Sequence, residues 1–343
     1  MHPTFLPLLR CPRTGSELRL QVDELFEDRS VRSGRLTSAL GGHQYPIVGG
    51  IPRFVDQEHY AGSFGYEWHK WSRVQFEREN AGRPMAGHTR RMFETITGLA
   101  PADLKGQLAV EFGCGPGRFL DLARGAGATA VGLDMSVAVE SARENFRGDP
   151  KVLIVQGDVL HPPLARAAFD VGYSIGVLHH TPAPAAGLRA LAGVIRPGGR
   201  IACSVYQQGS FYDYPSVALY RGLVNAARAR FGARVALTLA LWYTSFAAYG
   251  LYYPLALARK IRGARRLAGY LEKYALVSLN LPDARWRILD VFDAITPTFA
   301  STHTAEEVRG WFAAAGCREI RQVAWGATSF AGVVGGTQES AAL

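Results

Sequence analysis

Short apolar runs alternate with segments of helical pattern between residues 108 and 206. The apolar runs are nearly continuously hydrophobic, which is typical of parallel strands buried on both faces. In chain order they are LAVEFG, TAVGLDMS, KVLIVQGD, FDVGYSIG and RIACSVY. The alternation predicts an α/β fold with a doubly wound, mostly parallel sheet.

Two further β-type runs, CREIRQVAW and TSFAGVVGGT, stand near the C-terminal end. The helix before them is predicted to begin at Thr304, because Thr304 and Glu307 have the spacing of a capping box. Only a short turn separates the two runs, so we expect a hairpin with one strand antiparallel to the rest of the sheet.

Three glycines follow the first predicted strand in the segment VEFGCGPGRF. Gly113, Gly115 and Gly117 let the backbone turn tightly and approach a ligand without interference from a Cβ atom. Arg118 occupies the position of the third glycine in the dinucleotide fingerprint G-x-G-x-x-G, which weakens the dinucleotide interpretation. Asp134 follows about 20 residues on, the spacing at which a carboxylate reaches the hydroxyls of a ribose.

Four ordered motifs resemble the class I S-adenosylmethionine-dependent methyltransferases. They are VEFGCGPGRF, VGLDMS, VQGDVLHPPLARAAFDVGYSIGVLHHT and LRALAGVIRPGGRIACSVY, and the resemblance extends over residues 108–206. The resemblance implies a sheet of seven strands with the last hairpin reversed. It also implies S-adenosylmethionine, which carries no phosphate, as the cofactor. A glycine turn that serves only packing is the structural alternative.

The resemblance implies a role for individual residues at the cofactor. Glu111 is implied to lie near the amino group of the methionine part, Asp134 to accept hydrogen bonds from both ribose hydroxyls, and Asp158 to meet the adenine amino group. The other residues implied to line the cofactor are Gly113, Cys114, Gly115, Gly117, Met135, Val159, Ser174, Ile175 and Gly176. Tyr66 and Trp68, which precede the glycine loop, are further candidates for closing over the cofactor, with ordinary core aromatics as the alternative.

Two adjacent histidines are the candidate catalytic residues. An oxygen or nitrogen nucleophile can need its proton removed, and histidine is suited to that task. His179 and His180 follow the fourth predicted strand at its carboxyl end, where α/β proteins bind their ligands. Histidines that cap or pack the next helix are the alternative, and His303, beside the capping box, is open to the same structural interpretation.

The four cysteines form no C-x-x-C pair, which argues against a disulfide framework or a zinc site and fits a reducing cytosol. Near the N-terminus, LLRCPRTGSELRL and YPIVGGIPRFV resemble the small zinc-ribbon-like domain of some methyltransferases and of the activator of tRNA methyltransferases. Cys11 remains of its first motif, but Thr14 replaces the second cysteine, and one cysteine cannot hold a tetrahedral metal. We therefore expect a degenerate, metal-free β segment that serves as a docking or dimer surface.

The net charge of +9 is concentrated between residues 207 and 280, where ten basic residues stand against two acidic ones. Within that segment, residues 235–258 carry no charge and are long enough to span a membrane. A single crossing would separate strands of one predicted sheet, so we reject it. We favour a buried cap helix that shields the methyl-transfer site. Such a helix could lie at a contact between the two chains of a homodimer. The alternative is an apolar lid with a basic rim that rests on an anionic membrane.

These patterns divide the chain into four segments. They are a degenerate ribbon-like segment (1–60), the cofactor-binding core with a preceding cap segment (61–206), a helical lid insertion (207–303), and a C-terminal helix and hairpin that complete the core (304–343). The apolar run at the N-terminus is too short for a secretory signal. We therefore expect a cytoplasmic protein, with peripheral contact at the inner membrane face as the alternative.

The predicted function is in-line methyl transfer from S-adenosylmethionine to a small, apolar or amphipathic acceptor. Nucleic acid is not expected as the substrate, because the basic residues surround an apolar stretch and do not alternate with stacking aromatics. The alternatives are a non-catalytic partner or sensor that binds S-adenosylmethionine, a nicotinamide-dependent oxidoreductase, and use of the cofactor for other chemistry.

Overall fold

The structure, a computed structural model, describes residues 1–55, 70–277 and 280–336. Its N-terminal part forms an antiparallel sheet whose four strands lie side by side in chain order. They are β1 (Leu18–Leu25), β2 (Val31–Ser38), β3 (Gln44–Val48) and β4 (Ile51–Pro52). The small N-terminal β segment expected from the sequence is therefore present.

The central sheet contains seven strands within the described residues. They are β5 (Leu108–Phe112), β6 (Thr129–Asp134), β7 (Val152–Gln156), β8 (Phe169–Ile175), β9 (Ile195–Ser204), β10 (Cys317–Gln322) and β11 (Ser329–Val334). Their order is β10-β11-β9-β8-β5-β6-β7. Strands β5 to β9 pair in parallel, whereas β11 is antiparallel to both of its neighbours. The predicted fold class, with its reversed hairpin, is confirmed.

The two sheets meet at the edge strand β7. Phe54, just beyond β4, donates its backbone N–H to the carbonyl of Gln156 at 2.8 Å. This contact covers an edge that would otherwise offer unpaired backbone groups. Cys11 is buried in the small sheet, with its Sγ atom 3.2 Å from the hydroxyl of Tyr45. The relation of this sheet to a zinc ribbon stays a prediction.

Helices cover both faces of the central sheet. Successive strand residues point to opposite faces, so Val110 and Val131 lie in one apolar core and Ala109 and Tyr173 in the other. The helices in the described ranges are α1 (Glu77–Asn80), α2 (His88–Thr97), α3 (Pro101–Leu104), α4 (Arg118–Gly125), α5 (Ala138–Asn145), α6 (Pro184–Val194), α7 (Pro215–Phe231), α8 (Ala233–Phe246), α9 (Tyr252–Ala258), α10 (Arg265–Tyr274), α11 (Ala284–Ile295) and α12 (Ala305–Ala314). Helix α12 begins at the predicted capping box, where Glu307 donates its N–H to Thr304 Oγ1 at 3.2 Å.

The insertion between β9 and β10 is helical, as predicted. Helix α8, a π-helical turn (Ala247–Leu251) and α9 form one continuous helix over residues 233–258. In the part of the chain that the structure describes, it is the one helix that is long and apolar enough to cross a membrane. The strands before and after it belong to one sheet, which a single crossing would divide.

The prediction that the long helix over residues 233–258 is a buried cap is wrong for one face of that helix. Ala236 and Ala240 pack inward with residues of α7 and α11. The opposite face is open to solvent, and Trp242 is 74% exposed. The physical reason is that the neighbouring helices of the insertion cover the long helix from one side only.

A buried arginine ties the long helix to α11. Arg287 is 1% exposed and donates to the carbonyl oxygens of Leu281 at 2.9 Å and Ala248 at 3.1 Å. Its guanidinium also lies 3.4 Å from the centre of the Tyr252 ring. Because Ala248 lies in the π-helical turn, one side chain joins that turn to the helix that lines the cavity described below.

We expect Arg287→Met to destabilise the folded protein by on the order of 3 kcal/mol, since it leaves buried carbonyl oxygens without their charged donor. The measurement is urea unfolding followed by circular dichroism. Arg189→Met, at an exposed position on α6, is the matched control and should leave the midpoint unchanged. Equal midpoints for the two variants would contradict this role of Arg287.

Candidate active site

A cavity of about 330 Å³ opens where β5, β6, β8 and β9 end. The carboxyl edge of an open α/β sheet is the usual place for a ligand. The wall from the core consists of Glu111, Gly113, Cys114, Gly115, Pro116, Arg118, Phe119, Asp134, Met135, Val159, Ile175, Gly176 and Val177. The wall from the insertion and the strand end before it consists of Tyr206, Tyr212, Leu281, Trp286, Leu289, Asp290 and Asp293.

The glycine loop forms the floor on the core side. Gly113 has a φ angle of 75°, and a Cβ atom there would lie 2.3 Å from the side chain of Val177. Gly115 donates its N–H to Asp134 Oδ2 at 2.8 Å. Asp134 thus fixes the loop from the end of β6, a role that the spacing alone did not indicate.

Asp134 also lines the cavity. Its Oδ1 atom accepts hydrogen bonds from the N–H and the hydroxyl of Ser136, at 2.8 Å and 2.7 Å. A carboxylate offers about four lone-pair sites. The side chain can therefore hold the loop and still accept hydrogen bonds from a ribose, as predicted for it.

Glu111 is a buried carboxyl group at the cavity wall. It is 2% exposed, and its Oε2 atom has no hydrogen-bond partner within the described residues. Burial raises the pKa of this carboxyl well above its ordinary range; the positive charge of Arg118 opposes the shift and the negative charge of Asp134 adds to it. An unpartnered buried carboxyl oxygen fits an ammonium group, which is what the amino group of S-adenosylmethionine would present.

Most of the other predicted cofactor residues reach the same cavity. Cys114, Met135, Val159, Ile175 and Gly176 all line it. Tyr66 and Trp68 lie outside the described residues.

Three predicted cofactor residues are not part of the cavity wall. Gly117 begins α4 with a φ angle of 94°, and a Cβ atom there would meet the ring of Phe146 at 2.5 Å. Asp158 accepts the N–H of Leu160 at 2.9 Å and so holds its own turn. Ser174 donates its hydroxyl to a backbone carbonyl of β5 at 3.0 Å. Each of the three makes an internal contact that positions the strands and loops around the site.

The structure separates the two candidate histidines. His179 is fully buried and is not part of the cavity wall, and its ring lies 3.6 Å from the ring of Tyr206, centre to centre. Neither of its ring nitrogens has a hydrogen-bond partner among the described residues, and burial lowers its pKa well below the ordinary value. The geometry therefore places His179 behind the site and not in the cavity where a base would act. His303 also has a structural setting, with its Nε2 atom 2.8 Å from Ser301 Oγ.

His180 does line the cavity. Its Nδ1 atom lies 2.9 Å from the carbonyl oxygen of Phe299, so Nδ1 carries the hydrogen and donates it. In the neutral ring, Nε2 then carries the lone pair, and it lies 3.9 Å from Asp293 Oδ1. Burial lowers the pKa of His180, and the carboxylate of Asp293 opposes that shift.

Two tyrosine–aspartate pairs, which sequence reasoning missed, complete the cavity. Tyr206 donates its hydroxyl to Asp293 Oδ2 at 2.6 Å, and Tyr212 donates to Asp290 Oδ1 at 2.8 Å. The two rings are stacked, with centres 3.5 Å apart and planes 3° from parallel. Burial, together with the two carboxylates, raises the pKa of both tyrosines well above the ordinary value, so both keep their protons. The sequence did hold one signal for these pairs: Asp290 and Asp293 are three residues apart, which places both side chains on one face of α11.

An apolar wall closes the cavity beside these polar groups. Leu281, Trp286 and Leu289 contribute from the insertion, and Trp325 from the turn between β10 and β11. The ring of His88 lies between the two tryptophans, at 5.1 Å from Trp286 and 5.4 Å from Trp325. The cavity therefore joins an apolar surface to a small set of oriented polar groups.

Comparison with known proteins agrees with this geometry. Residues 110–203 match the family model of the methyltransferase domain. The chain is 26% identical over 270 residues to the methyltransferase GfsG of Streptomyces halstedii, an alignment that covers 75% of this chain and 82% of that protein. It is 31% identical over 137 residues to the ubiquinone biosynthesis O-methyltransferase of Paracidovorax citrulli, covering 38% of this chain and 54% of that protein. It is 37% identical over 106 residues to the tRNA U34 carboxymethyltransferase of Methylococcus capsulatus, covering 30% of this chain and 33% of that protein.

The seven-stranded sheet, its reversed hairpin and the cavity at its carboxyl edge define the class I methyltransferase fold. With the match to the methyltransferase domain, the chain is a class I S-adenosylmethionine-dependent methyltransferase, and S-adenosylmethionine is its cofactor. The predictions of the class, the enzyme activity and the cofactor are confirmed, and the sensor and oxidoreductase alternatives are set aside.

We expect binding of S-adenosylmethionine to release a proton from Glu111. The raised pKa favours the protonated form of this buried carboxyl in the free protein, whereas an ammonium partner favours the carboxylate and lowers the pKa. Affinity should therefore rise with pH between the lower pKa of the complex and the higher pKa of the free protein. Calorimetric titration in buffers of different ionisation enthalpy measures the released proton.

Glu111→Gln is the matched control, because glutamine has the same shape and does not ionise. It should bind the cofactor about tenfold or more weakly, through loss of a charged hydrogen bond, and release no proton from this site. The wild-type chain should also lose stability as the pH rises through the folded-state pKa of Glu111, and the variant should lack that loss. Equal proton release by the two proteins would show that the proton comes from elsewhere.

Proposed function

We propose that the enzyme methylates a hydroxyl group of a small, largely apolar acceptor, with His180 as the general base. The observation that carries the proposal is the meeting of three polar groups, His180, Tyr206 and Asp293, with an apolar wall in the cavity that the glycine loop borders. The similarity to a ubiquinone biosynthesis O-methyltransferase supports the same kind of acceptor.

The core residues would hold the cofactor. Glu111 would bind its ammonium group, the backbone around Gly113 and Gly115 its methionine part, and Asp134 its ribose. When bound, S-adenosylmethionine supplies an electrophilic methyl group on a sulfonium leaving group. The protein's main task is then to align the acceptor and to exclude water. Leu281, Leu289 and the two tryptophans of the apolar wall exclude water on the acceptor side.

His180 would remove the proton of the acceptor. Its Nδ1–H is held by the carbonyl of Phe299, so the lone pair of Nε2 remains as the proton acceptor. As the acceptor oxygen becomes methylated, its hydroxyl proton passes to Nε2. The carboxylate of Asp293 stabilises the imidazolium that results, and the hydrogen bond from Tyr206 keeps that carboxylate in position.

The direct test is incubation of the purified chain with methyl-labelled S-adenosylmethionine and a cell extract of the source organism. We expect the label in the organic phase, in a product whose new methyl group is an ether by mass spectrometry. Asp134→Ala should abolish the signal, because it removes both the ribose acceptor and the brace of the glycine loop. Label recovered in nucleic acid or in protein would contradict the proposal. A small-molecule product whose new methyl group is attached to carbon would also contradict it.

We expect His180→Ala to lower kcat by about 10²- to 10³-fold through loss of the base, with little change in cofactor affinity. His43→Ala, in the N-terminal sheet region, is the matched control and should retain full activity. The wild-type rate should fall only as the pH drops below the ordinary histidine range, since burial lowers the pKa of His180.

The Asp293→Asn variant tests whether the carboxylate of Asp293 raises the pKa of His180. Asp293 raises the pKa of His180, so its removal should move the acidic limb of the kcat/KM profile to lower pH and reduce the maximal rate. A limb that stays in place, with cofactor affinity intact, would exclude His180 as the titrating group.

A further inference from the structure

Large apolar side chains cover the outer face of the long helix over residues 233–258. Leu239, Trp242, Phe246, Tyr249, Tyr253 and Leu257 recur at steps of three and four residues, which places them on one side of the helix. Each is between 55% and 74% exposed. We call this set the outer face. Exposed apolar surfaces of this extent mark interaction sites in soluble proteins.

Neighbouring helices also carry large exposed apolar side chains. On α7, which packs against α8, Leu219 and Leu223 are 61% and 58% exposed. On α10, which packs against α9, Leu267 and Tyr270 are each 61% exposed. Three helices therefore contribute to the exposed apolar surface.

The charge around the outer face is mostly positive, and the one acidic partner seen there among the described residues is Glu272, whose carboxylate lies 3.8 Å from the guanidinium of Arg259. Residues 214–271 contain nine Lys or Arg and no Asp or Glu. Two of the nine, Arg221 and Arg228, donate inward to backbone carbonyls. The other seven are exposed, and they flank the long helix at its start, from Arg230 to Arg234, and beyond its end, from Arg259 to Arg266. An apolar face between two basic groups complements an anionic, amphiphilic surface.

We propose that the outer face docks on the surface of an anionic membrane, with the long helix lying in the plane of the interface. Tryptophan and tyrosine are favoured at this depth, where one part of the ring is apolar and another wet. Basic residues add electrostatic attraction to anionic lipid headgroups. The helix does not cross the bilayer, because the strands on either side of the insertion belong to one sheet.

A second copy of the chain is a poorer occupant of the outer face. A two-fold contact would place the same patch of both copies together, and with it their basic residues. Residues 214–271 contain no acidic residue, and Glu272, which pairs with Arg259 at 3.8 Å, offsets only one of the seven exposed basic residues. The docking itself does not depend on the proposed acceptor. It would, however, place α11, which packs on the inner side of α8 and lines the cavity through Leu289 and Asp293, close to the bilayer.

The test is co-sedimentation of the purified full chain with sucrose-loaded vesicles. One set contains phosphatidylcholine alone, and the other contains phosphatidylcholine with phosphatidylglycerol. We expect strong binding to the anionic vesicles, weak binding to the neutral ones, and a decrease as salt is added. Binding that is equal on both sets, or absent from both, would overturn the proposal.

Two paired variants separate the apolar and the charged contributions. Trp242→Ser with Phe246→Ser should reduce binding to anionic vesicles by about tenfold or more, through loss of buried apolar area. Arg265→Glu with Arg266→Glu should reduce it at least about tenfold, since each basic residue near an anionic surface contributes about fivefold. Arg166→Glu with Arg189→Glu makes the same change in net charge at exposed sites outside the insertion and should leave binding intact.

Thermal unfolding checks that the variants are folded, and light scattering measures their oligomeric state. All variants should remain folded, because the substituted side chains are exposed. A wild-type dimer that dissociates in the Trp242→Ser, Phe246→Ser variant would show that a second copy covers the outer face, and would overturn the membrane proposal. Methyl transfer plays no part in these measurements, so their outcome is independent of the acceptor.

Discussion

The hydrogen bond from Tyr206 to Asp293 joins the insertion to the carboxyl edge of the central sheet. Its donor follows β9 and its acceptor lies on α11, and the bond is 2.6 Å long. Tyr206 is buried and Asp293 is partly buried, so the carboxylate gains from a charged hydrogen bond in a setting of low dielectric constant. This contact and the parallel one from Tyr212 to Asp290 help to hold α11 across the end of the sheet, where it lines the cavity.

Local sequence patterns predicted the core side of the site because the chemistry there is local. The glycine loop and Glu111 are continuous in sequence, and one strand and one helix separate them from Asp134. The acceptor side depends on contacts between distant residues: Tyr206 and Asp293 are 87 positions apart. No spacing rule links such residues, since their meeting is decided by how the insertion packs. The predicted cofactor groove therefore needed only the sequence, whereas the tyrosine–aspartate pairs needed the structure.

The two histidines show that sequence motifs do not predict the direction in which a side chain points. His179 and His180 lie in a short 3₁₀ turn (Leu178–His180), in which successive side chains point about 120° apart. In this turn His180 faces the cavity, whereas His179 packs against the ring of Tyr206. Asp158 and Ser174 show the same limit, because motif spacing fixes their place in the chain but not the direction of their side chains. Asp158 uses its carboxylate for its own turn, and Ser174 its hydroxyl for a neighbouring strand.

The long helix of the insertion reverses the usual distribution of side-chain size. Its inner face carries small residues, among them Ala236, Ala240, Ala247 and Ala248, whereas tryptophan, phenylalanine and tyrosine lie outside. A composition that is apolar all round predicts burial on every side, which is why the sequence favoured a buried cap. Small inner residues leave room for neighbouring helices to pack against α8, and Arg287 donates to the π-helical turn through the carbonyl oxygen of Ala248. The large outer residues gain little from the fold of a single chain, since each is more than half exposed. The proposed contact with an anionic surface would account for apolar side chains of this size on the outside of the helix.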